Sequence, residues 1–215
     1  MERVENNVVK ISGTVVSKEL TFSHELYGES FYTFELASKR LSDTVDIIVI
    51  MISENSIMYS KIRKDQYLYI EGSYRSYNKH EGDESKLILT VWPKEIWEIN
   101  PEVDDINKVF LKGFITSPVI YRKTPEGRKI AEIKIGIKRL YGKLDYIPCI
   151  VWGDNAERIS YYEVGNEVTA YGRIQSRIYY KEILDEQEED ANKQEELGKR
   201  VEVRMAYEVS ISKIE

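Results

Sequence analysis

The chain has 215 residues and a formal net charge of −6, room for two domains of about 100 residues each. That balance excludes a generic polycation that coats nucleic acid, although a local basic groove stays open because the local field outweighs the total. The polar opening MERVENNVVKIS is neither a secretory signal nor a transit peptide, no apolar run approaches the roughly 20 residues of a membrane span, and a lone Cys149 excludes an intrachain disulfide or a multi-cysteine zinc site. The cytoplasm is the expected compartment, with no membrane partner.

In chain order, NVVKISGTV (7–15) reads as a strand, and FYTFELASKRL (31–41) as another with Tyr32, Phe34 and Leu36 alternating. A short helix fits in SENSIMYSKIRKD, capped by Ser53 or Asn55. YLYIEGSYRSY (67–77) is again extended, and WEINPEVDDIN (97–107) has the composition of a linker. The pattern then repeats. KVFLKGFIT (108–116), IAEIKIGIKRL (130–140, with Ala131, Ile133, Ile135 and Ile137 alternating), a short helix in GDNAERISYYEVG capped by Asp154 or Asn155, and EVTAYGRIQSR (167–177) follow in the same order. Asn7/Asn107, Val9/Val109, Ile11/Leu111, Gly13/Gly113, Gly72/Gly172 and Ser76/Ser176 each differ by 100.

Three strands, a short helix and two strands is the order of the five-stranded OB barrel; a β-sandwich is the rival that rarely carries a helix at that point. The expected fold is therefore all-β with one short helix per domain: two tandem five-stranded OB-fold barrels, residues 1–100 and 106–215.

AYGRIQSRIYY (170–180) divides by parity. Ala170, Gly172, Ile174, Ser176, Ile178 and Tyr180 form a small or apolar face. Tyr171, Arg173, Gln175, Arg177 and Tyr179 form the other, with guanidinium groups between rings. Aromatic rings stack on unpaired bases at roughly 1–3 kcal/mol per base, while arginine meets phosphates, so such a stripe suits a single strand rather than a duplex. In residues 101–215 the acids are concentrated in 182–196, EILDEQEEDANKQEE, which holds eight acids and one lysine. This segment reads as a solvated loop, or more sharply as an element that mimics nucleic acid and competes for the groove, or one that binds a partner.

The segments NKVFLKGFITSPVIYRKTPEGRKIAEIKIGIKR, YIPCIVWGDNAE and YYEVGNEVTAYGRIQSRIYY resemble the bacterial single-stranded DNA-binding proteins (SSB) over most of 106–181 and the last strand. The resemblance implies stacking aromatics at Tyr146, Trp152 and Tyr179, with basic positions at Arg122, Arg139, Arg173 and Arg177. Tyr146 and Trp152 are six apart and so share a strand face. The first copy matches more weakly. Its slots for Tyr146, Trp152 and Tyr179 read as Asp46, Ile52 and Lys79, while Arg75, Tyr77 and Lys79 share one face and Arg40 matches Arg139. The resemblance implies single-stranded DNA as partner (RNA being the variant), a role in replication, recombination, repair or mobile-element transfer, and a homodimer presenting four barrels. The chain closes on MAYEVSISKIE, without the acidic-tipped tail by which that family usually recruits partners; replication or repair proteins stay open as partners.

His24 and His80 have no ligand cluster beside them, GxxxxGK does not occur, and no Ser-His-Asp or Cys-His arrangement has a plausible setting. Cys149 alternates with the groove residues and reads as a buried thiol. No enzyme activity, cofactor or metal is expected. The rival function is a protein-interaction adaptor on the same barrels, and exposure of Trp152 separates the two.

Overall fold

A computed structural model describes residues 5–42, 44–81, 84–101, 105–184 and 199–215. Most of the acidic segment, 185–196, lies outside the described residues, as do 102–104 of the joint.

The first half contributes β1 (Asn7–Val15), β2 (Thr21–Leu26), β3 (Glu29–Lys39), β4 (Val45–Ser53), β5 (Tyr67–Glu81) and β6 (Glu84–Glu98). The second contributes β7 (Asn107–Ile115), β8 (Ile120–Lys123), β9 (Lys129–Lys138), β10 (Leu144–Trp152), α1 (Asp154–Ile159), β11 (Glu167–Leu184) and β12 (Lys199–Ile214). All twelve strands form one sheet in the order β2-β3-β4-β6-β5-β1-β7-β11-β12-β10-β9-β8. Each half curls into an OB barrel through β1–β3 and β7–β9 contacts and through the parallel pairs β4–β6 and β10–β12.

Two expectations need correction. A fourth strand precedes the helical turn in each half, because each opening hairpin pairs: β2 folds back through Tyr27 and Gly28, both at positive φ, and β8 through a turn closed by Gly127 at φ 79°. Among the described residues the α-helix is found in the second half alone, and its cap is Gly153 rather than Asp154 or Asn155. In the first half a 3-10 turn, Tyr59–Lys61, stands in its place. There Ser53 Oγ accepts from the Asn55 amide at 3.0 Å and Ser56 Oγ from the Met58 amide at 3.3 Å. Such local bonds compete with a helix too short to repay its nucleation.

The sheet order is a palindrome about the β1–β7 pair. Antiparallel pairing sets Val9 opposite Val109 and Val8 opposite Phe110, so equivalent positions meet at a pseudo-twofold axis. Inward residues from both halves, among them Val9, Ile11, Leu36, Ile50, Val109, Leu111, Ile135 and Val151, join in one hydrophobic cluster. Each such aliphatic side chain contributes about 1.5–3 kcal/mol by leaving water. The paired glycines have a steric role. Gly72 and Gly172 sit at bulges, where a Cβ would run into the carbonyl oxygen of Trp92 or Ser210.

The paired asparagines are also accounted for. The Asn7 carboxamide donates to the Tyr74 carbonyl at 2.6 Å and accepts from its amide at 2.8 Å. Asn107 treats Ile174 in the same way, at 2.8 and 2.9 Å. Each side chain continues the ladder of its own barrel beyond the last backbone pair.

Across the seams the halves exchange polar clamps. Buried Asp46 accepts from Arg40 Nε and Nη2, both at 2.7 Å, and from the Ser176 amide at 2.9 Å, while Ser176 Oγ accepts from the Ile47 amide at 2.9 Å. The mirror clamp has buried Asp145 accepting from Arg139 Nε at 2.8 Å, from its Nη2, and from the Ser76 amide at 2.7 Å. Ser76 Oγ there accepts from the Tyr146 amide at 2.7 Å.

Two stability predictions follow from these contacts. Asp145→Ala strands a guanidinium and an amide at the seam and is expected to cost about 3–5 kcal/mol, read as a lower urea midpoint. Tyr74 is 1% exposed with its hydroxyl unpartnered among the described residues, and burial pushes that hydroxyl's pKa well up. Tyr74→Phe is therefore expected to hold or raise the midpoint, by up to about 1–3 kcal/mol; a clear loss would contradict the absence of a partner.

Candidate nucleic-acid interface

Alternation along β10 sends Asp145, Ile147, Cys149 and Val151 into the barrel and leaves Tyr146 41% and Trp152 38% exposed. The alternation is unbroken from Tyr146 to Trp152, so both rings stand on one outward face, with half-buried Pro148 and buried Ile150 between them. Cys149 is buried, and desolvation raises its thiol well above the ordinary range.

On β11, Ile174 is buried while Arg177 is exposed and Tyr179 half-buried. The Arg177 guanidinium lies 6.0 Å from the Tyr179 ring centre and 3.4 Å from Glu208 Oε1. Glu208 also accepts from Gln175 Nε2 at 2.7 Å. Arg122 is on the edge strand β8, paired at 2.6 Å with Glu132, which shares out its charge.

Some of the residues expected to line the groove stand at two seams between the halves, whereas Trp152 and Arg122 lie beside β9, away from both. Through Ser76, the outward end of β10 adjoins β5, so Tyr146 and Arg139 gather with Arg75 and Tyr77 of the first half. Through Ser176, β11 adjoins β4 at Ile47 and Asp46, the aspartate that Arg40 holds. Arg40 and Arg139 do not stand free as phosphate contacts: each holds a buried aspartate. Hydrogen bonding to Asp46 raises the Arg40 pKa. Arg173 is half-buried with its Nε unpartnered; burial lowers its pKa, repulsion from Arg40 lowers it further, and Asp46 partly offsets both. Arg75 behaves alike, lowered by burial and then Arg139, with Asp145 opposing.

The equivalences drawn for the first half shift by one residue. Arg40 and Asp46 correspond to Arg139 and Asp145, and the Leu36–Ile48 pair to Ile135–Ile147. The positions matching Tyr146 and Trp152 are therefore Ile47 and Ser53, not Asp46 and Ile52, both of which are buried. Lys79 is exposed and occupies the Tyr179 position on β5.

An aromatic group on the first half was not read from the sequence. Trp92 lies under the Arg75 guanidinium at 4.9 Å and against Phe31 at 5.2 Å; Phe31 stacks on His24 at 5.1 Å, and His24 meets Tyr77 at 5.6 Å. The pairing of Ser73 with Trp92 and of Arg75 with Thr90 across β5 and β6 brings Trp92 diagonally beside Arg75, a relation between strands that no local sequence pattern carries. Among the described residues, no three His, Cys, Asp or Glu come together as metal ligands, and no helix is long and apolar enough to cross a membrane.

The single-strand binding protein family matches residues 106–207. A single-stranded DNA-binding protein of Halalkalibacterium halodurans is 32% identical over 81 residues, covering 34% of this chain and 48% of the relative. Another, from Clostridium acetobutylicum, is 35% identical over 81 residues, covering 34% and 56%. The chain thus spans about half the length of the curated relatives it matches. The solved wild-type single-stranded DNA binding protein of Thermus aquaticus superposes over 97% of this chain and 91% of its own, with a TM-score of 0.73 at 16% identity, which establishes a shared fold. A deletion mutant of the same protein gives 0.67 over 97% and 93%. Residues 106–207 are thus similar to the single-strand binding protein family, and this matching part is the barrel that carries Tyr146, Trp152 and Tyr179.

Proposed function

We propose that the chain binds single-stranded DNA without sequence preference and without turnover, through base stacking on Tyr146, Trp152 and Tyr179 and phosphate contacts from Arg173, Arg177, Arg75, Lys79 and Arg122. The observation that carries this reading is the exposure of Tyr146 and Trp152 on one outward face of the barrel that matches the family. Large rings cost free energy in water and a core position would hide them, so two on one open face offer stacking surface. Tyr77 joins that set through the seam. Residues 1–100 and 106–215 act as two barrels of one binding unit, and two chains form a homodimer. The work is done in the cytoplasm, covering strands opened in replication, recombination or repair.

A second reading, an adaptor that binds proteins, draws on the first half. There Ile47, Ser53 and Lys79 replace the three stacking rings, so that barrel offers less to a base.

A titration with oligo-dT of about 35 nucleotides, followed by tryptophan fluorescence at two salt concentrations with a duplex control, separates them. Quenching by the single strand, weaker at higher salt, is expected. Trp152→Ala should weaken affinity by about 5- to 150-fold, the equivalent of roughly 1–3 kcal/mol per stacked base. No binding of either DNA would leave the adaptor.

A further inference from the structure

The β11–β12 ribbon carries a core-type face past the end of the barrel that it closes. Its register pairs Ile174 with Val209, Ser176 with Tyr207, Ile178 with Met205 and Tyr180 with Val203. Residues directly opposite on antiparallel strands share a face. At the barrel, Ile174 and Val209 are fully buried. Further out on the same face Ile178 is 59% exposed, Tyr180 71%, Val203 60% and Val201 54%, with Met205 half-buried among them.

The barrel does not require this extension. In the first half Ser76 takes the place of Ser176, and beyond it β5 and β6 pair Asn78 with Leu87 and His80 with Ser85. Asn78 and Ser85 are exposed, so the first ribbon is built with polar residues where the second has Ile178 and Val203. Nor does the face suit nucleic acid. Its positions from 174 to 180 and from 201 to 209 hold no Lys or Arg, whereas Arg173, Arg177 and Arg204 alternate onto the other face with Tyr179.

A two-stranded ribbon alone in water is marginal, and its apolar face needs a second layer. Another copy of the chain supplies one. Under a twofold axis the same flat face meets itself, giving a two-layer, four-stranded sandwich with both cationic faces outward. The exposed parts of Ile178, Tyr180, Val201 and Val203 amount to roughly 500 Å² per chain, so two such faces together reach the roughly 1,000 Å² at which specific interfaces begin. We propose that this face of the β11–β12 ribbon is a contact between two copies of the chain. It names a surface for the homodimer reading above and rests on that reading.

The test is sedimentation equilibrium of the full chain, as wild type, Tyr180→Glu and Val203→Glu. Each substitution sets a carboxylate against its own twin in the contact, and should raise the dissociation constant between copies by more than about tenfold. A cross-link gives a second readout. Val203→Cys treated with a short bis-maleimide should be captured as a covalent dimer, and Ser85→Cys on the first ribbon should not; buried Cys149 does not compete. If a Glu variant fails to fold, the cross-link decides. A wild type that stays monomeric overturns the homodimer reading and the contact together. A wild-type dimer that both Glu variants leave intact overturns the contact alone and puts the dimer on another face. So does Val203→Cys captured no better than Ser85→Cys.

Discussion

The antiparallel pairing of β1 with β7 is the constraint on which the rest depends. A β-strand edge left open invites association with other chains, and here each half closes the other's first-strand edge. With Val9 facing Val109, the pairing also sets a pseudo-twofold axis. Three features placed on one half at a given distance from that axis recur on the other: the asparagine ladders, the bulge glycines and the aspartate clamps. A register slip of one residue would turn the inward faces of both first strands outward.

The clamps convert that pairing into a rigid unit. A backbone ladder alone leaves two barrels free to rock about it. Asp46 and Asp145 lie to either side of the ladder and reach into the opposite half, each to a backbone amide, so rocking breaks a charged hydrogen bond in a buried place. The same device sets the electrostatics. Each buried carboxylate is paired with the arginine that holds it.

The halves share a frame and differ in dress. Along the outward face of the fourth strand, the second half carries Tyr146 and Trp152 where the first has Ile47 and Ser53. The first half puts its rings elsewhere, in the contacts among His24, Phe31, Tyr77 and Trp92. Those rings are largely occupied with each other, whereas Tyr146 and Trp152 are open. Duplication preserved what the axis requires and released what it does not.

Period-two alternation and the 100-residue repeat were enough to read the strands, the doubled barrel and the shared face of Tyr146 and Trp152, because each depends on neighbours in the chain. The paired Asn7/Asn107, Gly72/Gly172 and Ser76/Ser176 were visible as a repeat, but their reasons were not: a ladder extension, a close carbonyl and a seam clamp each need a second strand. The one-residue offset between Asp46 and Asp145 escaped because the halves drift from a spacing of 100 to 99 before returning, and in a strand a single step exchanges core for surface. Local pattern determined which residues could be outward. Tertiary pairing alone decided that Arg40 and Arg139 serve buried aspartates, since a guanidinium's task is settled by the charge that packs against it from another strand.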